Sequence, residues 1–151
     1  MNTAAHAASA RTHTRAWLFL VVALAVHVVD EALTGFLDFY NPLVRSLRER
    51  IGWFPTPTFT FDVWLTGLVL LVLALALVTP WIRRGGMAVA GASWAFSTLM
   101  FLNGLGHLLG SAYFGRWLPG VTSAPLLLVA SAVLAFRTSE RRGPAREAVV
   151  S

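Results

Sequence analysis

Five polar residues stand where apolar ones are expected. His27, Asp30 and Glu31 interrupt the apolar run from about Ala16 to Leu37. Asn103 and His107 interrupt the run from about Gly86 to Leu109. An ionisable side chain at membrane depth costs about 2.5–3.5 kcal/mol on insertion scales, so it needs a partner, a water-filled cavity or a task. Imidazole and carboxylate are the groups that move protons and bind iron or zinc. His27 and Glu31 are four residues apart and share a helix face, as do Asn103 and His107. On one helix, His27, Asp30, Glu31, Thr34 and Asp38 fall within an arc of about 100°. Such a stripe must face the interior of a helical bundle.

Two kinds of chemistry fit these residues. His27, Glu31 and His107 form a two-histidine, one-carboxylate set with open positions, suited to a divalent metal, iron or zinc. Asp30 would then be a fourth ligand or would hold a histidine in place. Without a metal, a buried carboxylate beside a histidine can exchange a proton with a lipophilic substrate. The catalytic candidates are His27, Asp30, Glu31, Asn103 and His107. Trp94 and Phe101, with Thr34 and Tyr113, are the candidates for the substrate pocket. The reaction would be of isomerase, hydrolase or oxygenase type on a lipid or isoprenoid-like molecule. Two other readings compete: a proton or metal-cation path, which four spans would build only as a homo-oligomer, and a structural polar network that locks helices together.

The rest of the chain must position these groups in a bilayer. Of 151 residues, 56% are hydrophobic and 13% charged, about half the charged fraction of a soluble domain. There is no cysteine, which removes disulfides, thiolate metal sites and cysteine nucleophiles. The 12 basic residues are all arginine against 7 acids, for a net charge of +5. They cluster between apolar runs, so the partner is the lipid bilayer and not nucleic acid. Four runs approach the roughly 20 residues that cross a hydrocarbon core. They are about 16–37, 63–82, 86–109 and 118–136. The expected fold is an all-α polytopic membrane protein with four transmembrane helices over 16–137, between mobile tails at 1–15 and 138–151.

Arginine placement sets the expected orientation. The N-terminal tail, second loop and C-terminal tail carry Arg11, Arg15, Arg83, Arg84, Arg137, Arg141, Arg142 and Arg146. The first and third loops carry Arg45, Arg48, Arg50 and Arg116. Both termini are therefore expected in the cytoplasm. The apolar run before Ala23-Leu24-Ala25 is too short for a cleaved signal peptide, so the first span is read as retained. In the first loop, Leu43, Val44, Leu47 and Ile51 recur at helical spacing and read as a short interfacial helix. Trp53 and Phe54 would anchor it, and Pro55 and Pro57 end it. Gly106 and Gly110 form a Gly-x-x-x-Gly pair expected to allow close helix approach.

The run His27-Val28-Val29-Asp30-Glu31 resembles the signature of the H-x-x-E-E family of bacterial integral membrane proteins. Asn103-Gly104-Leu105-Gly106-His107, then Tyr113, Pro119-Gly120, Thr122 and Pro125, follow in the family's order. The resemblance covers about residues 20–130. The departures are Asp30, where glutamate is usual, and a longer Tyr-to-Pro-Gly spacing. It implies a helical bundle with a buried His/carboxylate site in a bacterial cytoplasmic membrane, and no defined activity.

Overall fold

The computed structural model describes residues 3–150, and side chains for 7–141. The chain is all-α. Helix α1 covers Thr3–Thr34, α2 Phe36–Ile51, α3 Phe61–Leu77, α4 Thr79–Arg84, α5 Met87–Phe114 and α6 Ala124–Val150. The terminal segments expected as mobile tails therefore continue into helix. His13 and Thr138, which flank those expected boundaries, are both buried.

Glycine and proline set the breaks. Gly35 adopts a left-handed conformation (φ 76°) and ends α1, so the first span stops at Thr34 and Asp38 belongs to α2. Asp38 is thereby removed from the polar stripe. Pro80 at the start of α4 has no N–H to give the Ala76 carbonyl, and the second apolar run breaks at Val78. Gly115 (φ 61°) closes α5, and its successor Arg116 donates a backbone N–H to Ser111 O. Pro125 sits in the first turn of α6, where its missing N–H is harmless.

Among the described residues, three helical segments are long and apolar enough to cross a membrane: Ala7–Thr34, Phe61–Arg84 and Met87–Phe114. The expected fourth span is not among them. Residues 118–123 form turns, so α6 begins only at Ala124. Its apolar part ends before Arg137, roughly 20 Å along the axis, against about 30 Å of hydrocarbon.

Helix α6 is nonetheless the centre of the bundle. It packs against α1 and α5 more extensively than any other helices pack together. Ala124, Leu127, Ala130, Ser131, Leu134 and Thr138 are all buried, a spacing of three and four that puts them on one face. Across from them lie Trp17, Leu20, Leu24 and His27 of α1 and Phe96, Met100 and Gly104 of α5. Trp17 is core, not an interface marker: its ring packs on Phe96 at 5.0 Å and its N–H donates to Leu75 O. The close helix approach falls at Gly104, where a Cβ would lie 3.1 Å from Ala124 O and from Leu128 Cγ. Of the expected Gly-x-x-x-Gly pair, a Cβ at Gly106 would meet nothing, while one at Gly110 would lie 3.2 Å from Leu118 Cδ1. Helix α3 is apolar all round, yet almost none of it is buried.

Helix α2 covers the segment expected to be an interfacial helix and begins earlier, at Phe36. It is tied to the extended segment after it. Tyr40 Oη donates to Pro57 O, Asn41 exchanges two hydrogen bonds with the Phe59 backbone, and Arg48 donates to Phe54 O and Thr56 O. This closed unit lies over the end of the bundle where the polar residues collect.

Candidate functional site

His27 and Glu31 lie one turn apart on the buried face of α1. His107 reaches them from α5. His107 Nε2 is 3.1 Å from Glu31 Oε1, and His27 Nε2 is 3.7 Å from the same oxygen. The two imidazoles meet edge to face at 4.7 Å. One ligand atom from each of the three residues lies within 4.8 Å of the other two. Among the described residues, no other group of three histidines or carboxylates converges in this way.

The turn between α5 and α6 fixes both rings. His107 Nδ1 is 2.7 Å from Pro119 O. A carbonyl only accepts, so Nδ1 carries the proton. His27 Nδ1 is 2.8 Å from Ser123 Oγ. That hydroxyl is 2.7 Å from Asp30 Oδ2, which also accepts the Ser123 backbone N–H at 2.9 Å. With Asp30 ionised, Ser123 donates its proton to Asp30, and its oxygen accepts from His27 Nδ1–H. Each neutral ring therefore turns an Nε2 lone pair toward Glu31. His27 Nε2 is buried and has no hydrogen-bond partner. Two lone pairs facing a carboxylate repel unless a cation or an added proton lies between them.

Gly120 makes this closeness feasible. Its φ is +82°, and a Cβ there would lie 2.7 Å from His107 Cε1 and 3.1 Å from Glu31 Cγ. The turn thus supplies the Pro119 carbonyl, the Gly120 gap and the Ser123 hydroxyl. Asp62 lies exposed in the first turn of α3, and that helix brings Phe61 and Trp64 to the cavity beside Glu31. Ser123 escaped the sequence reading. Its position just before the apolar run of α6, where serine caps helices, was the available signal.

Two cavities flank the histidine–glutamate group. One, of about 320 Å³, is lined by Glu31, Asp38, Asn41, Phe59 and Trp64 among others. The second, of about 300 Å³, is lined by Asn103, His107, Leu102, Phe39, Leu43 and Phe114 among others. Phe36 borders both; it stacks on Trp64 at 5.7 Å and sits 6.0 Å from His107.

Asn103 lies on the wall of the second cavity, one turn from His107, and is exposed there. Trp94, Phe101, Thr34 and Tyr113, expected as pocket residues, line neither cavity. Tyr113 is 84% exposed, Trp94 and Phe101 point outward from α5, and Thr34 bonds back to Asp30 O. The residues that do line the cavities come from α2 and from other faces of α1, α3 and α5, because Gly35 folds α2 back over the site.

No curated protein and no solved structure shows significant similarity to the chain. A family model does: residues 17–135 match the model described as protein of unknown function with HXXEE motif. The matched region contains the two histidines, both carboxylates and the turn that orients them, and the chain belongs to the HXXEE family.

Proposed function

We propose that His27, Glu31 and His107 form a divalent metal centre, iron or zinc, that acts on a lipophilic substrate. The orphaned His27 Nε2 carries this reading. It is buried, aimed at Glu31, and its Nδ1 is already committed to Ser123. A metal with bonds of about 2.0–2.2 Å holds tetrahedral ligands a little over 3 Å apart, close to the 3.1 Å and 3.7 Å separations here. Histidines that bind metals characteristically donate the other ring N–H to a carbonyl or a carboxylate-linked group. Both rings do so. Three protein ligands leave a position open, where the metal would polarise a substrate oxygen or lower the pKa of a bound water.

The 3.1 Å contact between His107 and Glu31 favours a second reading. A proton on His107 Nε2 would make that contact a charge-assisted hydrogen bond, and the pair would serve as acid and base without a metal. A cation path is less well supported. Toward the other end of the bundle the buried face of α1 is Leu24, Val21, Leu20 and Trp17, and the buried polar side chains of α5 and α6 there, Ser93, Ser97 and Ser131, are not ionisable.

The arginine-rich end is the cytoplasmic one in this reading. Arg141 of α6 lies beside His13 of α1 and near Gly85 between α4 and α5, so those ends of the bundle share one side. Arg142 and Arg146 lie outside the described side chains.

The test is elemental analysis of untagged protein in mild detergent, beside His107→Ala and Glu31→Gln. The expected result is about one equivalent of iron or zinc per chain, lost in both variants while helicity is kept. Metal-free, well-folded wild-type protein that also takes up no added metal would overturn the metal reading in favour of acid–base chemistry.

A further inference from the structure

The two cavities differ in chemistry, and the difference bears on what reaches the site and from where. The one beside Glu31 carries Asp38 and Asn41 and leads under the α2 unit. The one beside His107 is walled by Phe39, Leu43, Leu102 and Phe114. That second cavity lies between α2 and α5. On α5, Leu99, Leu102 and Leu109 are exposed on a helix long and apolar enough to cross a membrane, so in a bilayer the cavity mouth would face acyl chains. At its inner end the apolar wall gives way to Asn103 and His107. A cavity of about 300 Å³, open on one side, has room for a single acyl chain.

Building on the metal reading, we propose that the site is loaded sideways from the bilayer by a single-chain amphiphile with a terminal oxygen function. The chain lies between α2 and α5, and the oxygen reaches His107, Asn103 and the open metal position. The polar cavity beside Glu31 admits water from the opposite side. Phe36 separates the two and contacts both, so the chain and water meet only at the histidine–glutamate group.

Gly106 provides the test. It borders the apolar cavity, and a Cβ there meets nothing within 4 Å. Gly106→Leu therefore places its Cβ without a clash, extends the side chain into the cavity and improves helix propensity. The probe is dodecanoic acid with a diazirine at its tail, photolysed with full-length protein in phospholipid nanodiscs and mapped by mass spectrometry. Cobalt(II) binding is measured separately in the same samples from its visible absorption. Labelling is expected to concentrate on Leu43, Leu102 and Phe114, and to fall in Gly106→Leu to the level seen at Leu71 of α3. Leu102→Gln, a second variant at the mouth, should reduce it too. Labelling spread evenly over α3 and α5, or unchanged by Gly106→Leu, overturns the proposal. Focused labelling in protein that binds no cobalt supports lateral entry and rejects the metal centre. Cobalt binding with diffuse labelling does the reverse.

Discussion

The molecule buries two histidine clusters, one at each end of α1. His13 and His27 are about 21 Å apart along that helix, and each is 1% exposed. At the arginine-rich end, Thr138 Oγ1 donates to Leu134 O, and its oxygen faces His13 Nε2 at 3.3 Å. Arg141 donates to His13 Nδ1 at 3.2 Å. Both ring nitrogens are satisfied, and no carboxylate is near. At the other end each ring also uses Nδ1 against the α5–α6 region, but the Nε2 atoms converge on Glu31 and one is orphaned. The first cluster fastens α1 to α6. The second leaves bonding capacity unspent at the junction of two cavities. Burial of a histidine is common to both; the unsatisfied lone pair separates a fastener from a candidate site.

Substitutions at either end sharpen that contrast. Glu31→Gln and His107→Ala should remove the metal outright, with circular dichroism unchanged, as read by elemental analysis. Gly120→Ala should do nearly as much, because its Cβ displaces the His107 ring. Ser123→Ala leaves His27 Nδ1–H without its acceptor, and should weaken metal binding about 10–100-fold in a chelator competition. Asp30→Asn should weaken it less, since the Ser123 hydroxyl remains. His13→Phe should leave metal content untouched while lowering stability by about 1–3 kcal/mol through the stranded Arg141 and Thr138, as measured by thermal unfolding in detergent. Metal loss in His13→Phe, or an intact metal in Ser123→Ala, would erase the distinction between the clusters. The smallest effect concerns packing: Gly104→Val should cost about 1–3 kcal/mol by overpacking, while Gly106→Ala should gain up to about 1 kcal/mol from helix propensity.

The polar stripe was legible because ionisable residues in an apolar run have few structural excuses. His27, Glu31 and His107 do come together, and the spacing of four that placed His27 with Glu31 is local helix geometry. The pocket was not legible. Trp94 and Phe101 looked suitable by type, but the sequence does not tell which face of α5 meets α6. The fourth span rests on the unbroken apolar run from Leu118 to Phe136 and is not confirmed. The Pro119-Gly120 turn takes up its first third, and burial between α1 and α5 accounts for the apolarity of the remainder.

Local chemistry therefore determined the helical class, three membrane-length segments, the helix of the first loop and the residues able to bind a metal or move a proton. Each depends on hydropathy, helical period or side-chain type, which are properties of short stretches. Only the tertiary structure decided which ring nitrogen faces Glu31, that Ser123 links Asp30 to His27, and that α2 supplies the cavity walls. Those features bring together residues far apart in the chain, through a turn whose path is set by the packing of α6 against α1 and α5.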